Sequence, residues 1–559
     1  MRTAIVTGSS SGIGLAVAVE LASRNWRVVG IDSADDAGLI GTAEFAGVAS
    51  GIQTLMADVT DRGQVDSAVA QVLSAFSGRL DALVNCAGTR VGGPFEETPE
   101  RVIRQQIEVN MVGAMNVTRA ALPGLRAVGG SRLVNLSSAA GLSSVPGLAG
   151  YCGSRWGLEG WTEAIAHELR PLGIGVVLVE PVAENVDTDS GMPVYGDPDG
   201  AYGPLIGKVA RGGRGLDPIT VADSVVAAVE GRRRLRQPVG MAAHMRCAAR
   251  GVIPAGFART AATRAMGLEP GRPSTRHADG VIMVTGCSTG FGLDIVVELA
   301  RRGRRVAATM RDISRRGALD AALATGDLAE RVEILAMDVT DPGSVYDVFT
   351  RVDRWEELAG EKGRLIGVVN NAGVRAVGAF EETPSSEVDH MIEVNLFGTL
   401  AVTRAALPRM RAHGGRIVFL SSSSALVGEP TWSAYAATKW AVEGWAESLA
   451  YETAPHGIGL LLVEPGAFRT ELNRPGTVFG SDDGPYHLVN EAMAEAERRQ
   501  LERAGDRSDV ARVVAGAFDS RWLPTRRPVG RDAKIRWAAR GVVPFGVQRW
   551  ARERTLGLQ

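Results

Sequence analysis

The sequence predicts two tandem α/β domains, each built on a doubly wound parallel β-sheet. The 559-residue chain is too long for one hydrophobic core, its motifs occur twice, and short apolar runs alternate with helical stretches. The near-continuous apolar character of these runs is typical of strands covered on both faces. In the first half the predicted strands are residues 4–6, 27–31, 82–84, 132–136 and 175–179.

An internal repeat runs from the first motif to the tail. The repeated segments are TGSSSGIG at 7–14 and TGCSTGFG at 285–292, NCAG at 85–88 and NNAG at 370–373, and PVG at 238–240 and 528–530. A period this long indicates a duplicated domain rather than a solenoid. We predict domains at 1–268 and 280–559, with a linker at 269–279 that contains proline and glycine and has no apolar periodicity.

Composition narrows the functional classes. The formal net charge is -2, which gives no general reason to expect nucleic-acid binding. The four cysteines are far apart, without metal-site spacing or a disulfide pattern, so a reduced cytoplasmic setting is expected. The first strand begins close to Met1, leaving no room for a signal peptide, and no apolar run is long enough to span a membrane.

Each glycine-rich segment follows a predicted strand and opens a predicted helix, as in the dinucleotide site of a Rossmann-like domain. The glycines allow a tight turn and close approach to a pyrophosphate, whose charge the helix N-terminus attracts. An ordinary turn is the alternative, but the same context occurs twice. The predicted cofactor contacts are Gly8, Ser10, Gly12, Ile13 and Gly14, and in the second half Gly286, Ser288, Gly290, Phe291 and Gly292.

The two halves differ in sequence at the end of the second strand. Asp32 stands there in the first half, and a carboxylate accepts hydrogen bonds from ribose hydroxyls and repels a 2′-phosphate. The aligned residue of the second half is Met310, and Arg311 follows it with a guanidinium that can pair with a 2′-phosphate. We therefore expect NAD(H) in the first half and NADP(H) in the second; plain surface charges are the alternative.

A candidate proton-transfer centre lies in the second half. Carbonyl reduction needs an acid/base beside the substrate oxygen, and tyrosine serves better when a fixed cation is close. Tyr435 and Lys439 are four residues apart on one face of a predicted helix, and Ser422 lies thirteen residues before the tyrosine. Each residue alone could be structural, but the set beside a dinucleotide motif favours catalysis.

The glycine spacing, the Asn-x-Ala-Gly turns and the Ser–Tyr–Lys set resemble the short-chain dehydrogenase/reductase family over nearly all of both halves. The resemblance implies that Tyr435 exchanges the alcohol proton and that Ser422 binds the substrate oxygen. It also implies that Lys439 lowers the tyrosine pKa and holds the nicotinamide ribose, while Asn395 supports a proton relay. The further cofactor contacts it implies are Asp58, Val59, Asn85, Ala87 and Gly88, and in the second half Asp338, Val339, Asn371, Ala372, Gly373, Pro465, Gly466 and Thr470.

The first half keeps Asn110, Ser138 and Tyr151 but has Arg155 in place of the lysine. Arginine supplies the charge, yet it is wider and stays protonated. The loop of the first half that matches residues 465–470 also lacks the glycine found at Gly466, and Val186 stands where the second half has Thr470. These departures favour impaired catalysis in the first half over full activity.

The segment between Thr470 and Asp509 resembles the family's substrate lid in position. Five of its residues could line a pocket for an apolar alcohol or ketone, or could simply pack: Val478, Phe479, Tyr486, Leu488 and Met493. The apolar and basic tail at 537–550 is more consistent with a packed tail or subunit contact than with a membrane-surface helix.

The resemblance also implies pairing of domains through the helix that carries the tyrosine. A duplicated chain could make this contact internally as a pseudo-dimer, and a further homodimer stays open. The leading expected function is NAD(P)-dependent interconversion of a ketone or aldehyde and an alcohol, mainly in the second half with NADP(H). The alternatives are a two-site redox epimerase and a dinucleotide-sensing scaffold with little turnover.

Overall fold

The computed structural model describes residues 1–34, 37–182, 192–210, 215–231, 235–249, 280–473, 478–520, 523–543 and 545–557. In this part of the chain there are two seven-stranded parallel sheets, each flanked by helices, so the predicted fold class is confirmed. The predicted linker at 269–279, the end of the first predicted domain and Val186 lie outside the described residues.

The first sheet has the strand order β3-β2-β1-β4-β5-β6-β7. Its strands are β1 (Thr3–Thr7), β2 (Arg27–Asp32), β3 (Ile52–Met56), β4 (Ala82–Asn85), β5 (Arg132–Leu136), β6 (Gly175–Pro181) and β7 (Arg236–Val239). The helices are Gly12–Ser23, Ala37–Phe45, Arg62–Ala75, Glu100–Ile107, Ala114–Arg126, Ala149–Leu169, Gly203–Val209, Pro218–Glu230 and Met241–Ala249, with a π-helical segment at Glu108–Gly113.

The second sheet repeats this order as β10-β9-β8-β11-β12-β13-β14. Its strands are β8 (Val281–Val284), β9 (Arg305–Met310), β10 (Val332–Ala336), β11 (Leu365–Asn370), β12 (Gly415–Leu420), β13 (Ile458–Pro465) and β14 (Arg526–Val529). The helices are Gly290–Arg301, Gly317–Ala324, Pro342–Ala359, Ser385–Ile392, Gly398–Arg411, Ser433–Thr453, His487–Glu502, Ser508–Ala517, Arg531–Val542 and Phe545–Thr555, with a π-helical segment at Glu393–Phe397.

The strand order reverses direction between the first and fourth strands of each sheet, so the loops that follow them meet at one edge. This is where open α/β sheets bind ligands. In the first half a Cβ on Gly8 would lie 2.7 Å from the Cα of Ala87, and in the second a Cβ on Gly286 would lie 2.8 Å from that of Ala372. The glycine turns are therefore required for the loops to approach each other.

The two halves contact each other through two helices, which we call the N-terminal tyrosine helix (Ala149–Leu169) and the C-terminal tyrosine helix (Ser433–Thr453). Glycines make room for tryptophans across this contact. A Cβ on Gly160 would lie 2.3 Å from the Trp440 ring, and one on Gly444 would lie 2.2 Å from the Trp156 ring. Nearly every described residue of both helices is buried, so the contact is continuous with the core.

Two buried glutamates extend this contact toward the loops of the opposite half. Glu168 accepts hydrogen bonds from the backbone N–H groups of Phe380 and Thr431, both at 2.8 Å. Glu452 accepts one from the backbone of Phe95 at 2.7 Å. Burial raises the pKa of Glu168 to about 7 and that of Glu452 to about 8, although these hydrogen bonds act in the opposite direction.

The C-terminal tail packs against the rest of the chain. Arg536 and Arg552, one from each tail helix, both bind the buried carboxylate of Glu429. Glu553, only 1% exposed, pairs with Arg170 of the first half. The packed-tail expectation therefore agrees with these contacts. Among the described helices, none combines the length and the apolar character needed to cross a bilayer.

Candidate active site

Ser422 and Tyr435 line the same open cavity in the second half. Ser422 follows β12 and begins a short 3₁₀ turn, in which its hydroxyl accepts the backbone N–H of Ser424 at 3.2 Å. Tyr435 lies in the first turn of the C-terminal tyrosine helix. The remaining wall residues are Phe291, Arg375, Ser421, Ser423, Trp432, Pro465, Gly466, Ala467, Phe468, Thr470, Leu472, Glu497, Gln500 and Leu501.

The hydroxyl of Tyr435 sits in a buried environment that makes it a weaker acid. Burial raises the pKa of Tyr435, and the charge of Arg375 and the hydrogen bond with Ser422 offset only part of this. Arg375, which lies outside the helix of Tyr435, thus contributes a positive charge that opposes the effect of burial. The role that the resemblance implies for Lys439 stays a prediction.

Lys439 is held by the sheet rather than by a carboxylate. Its ammonium donates a hydrogen bond to the carbonyl of Leu420 at 2.9 Å and lies 5.7 Å from the centre of the Tyr435 ring. Burial lowers the pKa of Lys439 to about 8. This bond fixes the ammonium close to the Tyr435 ring.

Asn395 connects two loops of the candidate site. Its amide donates to the carbonyl of Val374 at 2.9 Å and to the hydroxyl of Thr438 at 3.1 Å, while its oxygen accepts the N–H of Val374 at 2.8 Å. The π-helical segment Glu393–Phe397 shifts this side chain away from regular helical register. Asn395 therefore fixes the turn after β11 against the C-terminal tyrosine helix.

The glycine turn of the second half fits a dinucleotide pyrophosphate. The Thr289 side chain does not cap the helix Gly290–Arg301, so that side chain leaves the first-turn N–H groups free for a phosphate. Asn371 donates to the carbonyls of Thr285 and Gly286 at 2.7 and 3.0 Å, which fixes the turn after β8. Ser288 is half-buried at this turn, and Gly292 packs against the Gly286 carbonyl.

The loop after β13 is anchored by one carboxylate. Asp532 accepts the backbone N–H of Ala467 at 2.9 Å, and a Cβ on Gly466 would lie 1.9 Å from its oxygen. Only glycine fits at 466 with this aspartate in place. Further along the loop, Thr470 lies 3.7 Å from where a Cβ of Gly290 would be, so the loop crosses the glycine turn.

The first half reproduces much of this arrangement with an arginine. Arg155 donates to the carbonyl of Leu136 at 2.9 Å, which is the bond that Lys439 makes in the second half. Burial raises the pKa of Tyr151, but Arg155, the hydrogen bond with Ser138 and Arg90 more than offset it, so the net pKa is lowered. Asn110 bonds Thr89 and Ser154 as Asn395 bonds Val374 and Thr438.

Two other positions differ between the halves. Asn85 donates to Thr118 and Asn135 inside the sheet, as Asn370 donates to Thr403, so Asn85 does not correspond to Asn371. The residue at that position is Cys86, which sequence reasoning passed over. In the loop after β6, Val182 occupies the position that Gly466 has in the second half. The residue that corresponds to Asp532 is Ala242, so the valine does not meet a carboxylate.

The residues predicted to contact the adenosine lie at or after the ends of strands. Asp32 ends β2 and Met310 ends β9. Asp32 accepts hydrogen bonds from the N–H and hydroxyl of Ser10 at 3.0 and 2.8 Å, whereas Arg311 is exposed. Asp58 and Asp338 each accept the N–H and hydroxyl of the threonine two residues later. The valines after them, Val59 and Val339, pack against Gly113 and Gly398.

None of the five lid residues that were expected either to line a pocket or to pack belongs to the wall of this cavity. Val478 and Leu488 are 63% and 60% exposed, because they lie on its outer side. Phe479 and Tyr486 pack on the main core, and Met493 packs in a separate cluster around Trp432. An amphipathic segment does not reveal which apolar residues face a cavity, and here Leu472, Gln500 and Leu501 do.

Arg375 is the residue that sequence reasoning missed. It lies two residues after the Asn-Asn-Ala-Gly turn, and the first half has Arg90 at the same place. The repetition of this arginine was the available signal. The charge of each arginine favours a lower pKa for the tyrosine of its own half, although burial keeps the pKa of Tyr435 above its ordinary value.

Comparisons with known proteins match both halves of the chain. Residues 2–196 and 280–477 match the family described as short chain dehydrogenase. The uncharacterized oxidoreductase YusZ of Bacillus subtilis is 32% identical over 271 residues, covering 47% of this chain and 94% of that protein. Retinol dehydrogenase 8 of Bos taurus is 31% identical over 304 residues, covering 50% of this chain and 95% of that protein.

Among solved structures, the N-domain of a bacterial malonyl-CoA reductase with NADP covers 94% of this chain and 97% of its own, with a TM-score of 0.65 and 16% identity. This likeness shows the fold, including its tandem form. The family match covers well over half of the sequence in two separate regions. The chain therefore belongs to the short chain dehydrogenase family and is an NAD(P)-dependent oxidoreductase.

Proposed function

We propose that the C-terminal half interconverts a ketone or aldehyde and an alcohol, mainly with NADP(H). The observation that carries this proposal is that Ser422, Tyr435 and the loop containing Thr470 line the same cavity. Both hydroxyl-bearing side chains belong to the wall of one cavity, so a substrate oxygen placed between them could accept a hydrogen bond from each.

The bound nicotinamide supplies or accepts the hydride. In the reducing direction, Tyr435 gives its hydroxyl proton to the substrate oxygen, and Ser422 donates a hydrogen bond that holds this oxygen. Lys439, fixed by the Leu420 carbonyl, places a positive charge beside the phenol and the ribose position. Asn395 holds Val374 and Thr438 together, which keeps the tyrosine helix in register with the turn after β11.

The proposed cofactor preference is NADP(H) in the second half and NAD(H) in the first. Exposed Arg311 directly follows β9 and can reach a 2′-phosphate. At the end of β2, the Asp32 carboxylate places a negative charge at the corresponding position, where a 2′-phosphate would be repelled. Dissociation constants for both nucleotides, measured for Asp32→Ala and Arg311→Ala proteins, test the assignment for each half separately.

A second candidate is a two-site redox epimerase. The observation that favours it is that Arg155 makes the hydrogen bond of Lys439 and lowers the pKa of Tyr151. Cys86 and Val182 weigh against full activity of the first half, since they change the two loops that flank the cofactor in the second. Of the two candidates, the C-terminal oxidoreductase has the more complete set of side chains.

We also propose that the two halves form an intramolecular pseudo-dimer through the two tyrosine helices. The reciprocal glycine–tryptophan contacts, Gly160 with Trp440 and Gly444 with Trp156, support it. Whether this unit pairs further with a second chain is a separate question, which the mass of the protein in solution would answer. A mass near 58.9 kDa corresponds to a single chain.

The proposed substrate is a small, largely apolar alcohol or ketone. Trp432, Phe468, Leu472 and Leu501 give the cavity an apolar lining next to the candidate catalytic hydroxyls. The name of the relative retinol dehydrogenase 8 indicates an apolar alcohol for that protein. Both observations point to the same chemical class.

The test is turnover of a panel of alcohols and ketones with each nucleotide, for wild type, Tyr435→Phe and the matched variant Tyr151→Phe. Loss of about 100-fold or more on Tyr435→Phe alone is expected from removal of the proton donor. Loss of an epimerised product with either variant would instead support the two-site candidate. Equal turnover of wild type and Tyr435→Phe would contradict the proposal.

A further inference from the structure

Arg375 and Glu497 form a buried ion pair in the wall of the candidate active site. Arg375 belongs to the turn after β11 and Glu497 to the helix His487–Glu502, 122 residues later. The guanidinium carbon lies 4.4 Å from the centre of the Trp432 ring, and the residue is 9% exposed. The pair shares its cavity with Ser422 and Tyr435, so a substrate held by these hydroxyls reaches it.

Two residues of this wall carry a buried donor without an acceptor among the described residues. Glu497 accepts from one nitrogen of a guanidinium that carries five N–H groups. Arg375 Nε and the indole nitrogen of Trp432 are both buried without a hydrogen-bond acceptor among the described residues. Buried donors without acceptors are costly, and a ligand that brings an acceptor oxygen reduces this cost.

The charge of the wall is already balanced. Arg375 contributes one positive charge and Glu497 one negative charge, at side-chain exposures of 6% and 18%. A substrate carboxylate would add an unbalanced negative charge beside Glu497, and burial of such a charge is unfavourable. A neutral acceptor, such as an ester, ether, hydroxyl or second carbonyl oxygen, meets the donors without this charge.

We propose that the Arg375–Glu497 pair determines specificity by selecting substrates with a second, neutral acceptor oxygen near the reacting carbonyl and rejecting those with a carboxylate there. This inference rests on the proposed function of the C-terminal half and names the substrate class of that site. Glu497 is the selective element, because it cancels the charge that would otherwise attract an anion.

The test compares three aryl ketones of similar size: butyrophenone, ethyl benzoylacetate and the free acid benzoylacetate. For wild type, we expect kcat/KM to be about 10-fold higher for the ester than for butyrophenone, and about 10-fold lower for the acid than for the ester. Glu497→Gln removes the negative charge and should raise the ratio of acid to ester by about 10-fold. Arg375→Met should remove the advantage of the ester over butyrophenone.

Arg90→Met is the matched control, because Arg90 holds the same position in the other half. It should leave the three substrate ratios unchanged. Unchanged ratios in both Glu497→Gln and Arg375→Met would overturn the inference, whereas absence of any turnover that depends on Tyr435 would overturn the proposed function.

Binding gives a readout that does not need turnover. Calorimetric titration of Tyr435→Phe protein, saturated with NADP⁺, should show tighter binding of the ester than of the acid. The double variant that also carries Glu497→Gln should show the reverse order or no difference. Equal affinities in both proteins, or no binding of either compound, would contradict the selection of neutral acceptors even if the enzyme proves inactive.

Discussion

Glu168 of the N-terminal half holds the backbone N–H of Thr431, the residue directly before Trp432 in the cavity wall of the C-terminal half. Thr431 has a positive φ of 64°, a conformation that needs support in a residue with a β-branched side chain. The loop that leads into the C-terminal tyrosine helix is thus fixed by a carboxylate from the opposite domain. Glu452 contacts Phe95 of the N-terminal half in the reciprocal way.

Glu168→Ala should reduce C-terminal activity more than Glu452→Ala does. The substitution leaves the N–H groups of Phe380 and Thr431 without their buried acceptor, which costs about 1–3 kcal/mol for each group. We expect kcat/KM of the Tyr435-dependent reaction to fall about 10-fold, since the loop beside Trp432 shifts. Steady-state kinetics check this, with melting temperatures to confirm folding. Similar losses from both variants would mean that the effect is global.

The stability of the paired halves should decrease as pH rises from about 5 to 9. Glu168 and Glu452 have pKa values near 7 and 8 in the folded protein, against about 4.5 when unfolded. The folded state therefore binds protons more tightly, and this contribution is complete below about pH 4.5 and is lost as pH passes through the raised values. Denaturant midpoints across this range measure it.

Glu168→Gln together with Glu452→Gln should flatten that pH dependence, because an amide does not titrate. Glu429 supplies an internal comparison. Three nearby arginines, Arg536, Arg552 and Arg375, outweigh burial and lower its pKa to about 2, so its contribution is lost only as pH falls below about 4.5. A pH slope between 5 and 9 that is unchanged in the double variant would refute the assignment to these two carboxyls.

Asn371→Cys should weaken nucleotide binding to the second half. The amide donates to the Thr285 and Gly286 carbonyls, and loss of these two hydrogen bonds, about 1 kcal/mol each, would destabilise the glycine turn. Roughly 30-fold in affinity is the upper limit of the expected loss. The reciprocal change, Cys86→Asn, should tighten binding to the first half. Fluorescence titration with NADPH and NADH reports both. The prediction requires weaker nucleotide binding to the second half in Asn371→Cys and tighter binding to the first half in Cys86→Asn.

Gly466→Val should be severely damaging by itself and partly rescued by Asp532→Ala. A side chain at 466 would overlap the Asp532 carboxylate, at 1.9 Å from the added Cβ, and would displace the loop that reaches Thr470. The first half has valine and alanine at these two positions, which shows that this pair is compatible with the fold. A double-mutant cycle on the KM for nucleotide should give a favourable coupling of about 1–3 kcal/mol. Additive effects would show that the two positions act independently.

The central strands of each sheet could be predicted from sequence, because buried parallel strands are continuous apolar runs. The edge strand β7 could not, since its sequence is Arg-Gln-Pro-Val and proline is tolerated only at an edge. Spacing placed Tyr435 and Lys439 on one helical face. It could not show that Arg375 pairs with Glu497, because that contact joins a turn to a helix 122 residues away in the chain.

Fusion gives the contact between the tyrosine helices a property that identical subunits lack. In a symmetric homodimer, one codon change alters both copies of a contact at once. Here Gly160 with Trp440 and Gly444 with Trp156 are encoded separately. A substitution in one of these two contacts therefore leaves the other unchanged. The catalytic centre of one half can stay constant under selection while the other half acquires substitutions such as Arg155, Cys86 and Val182.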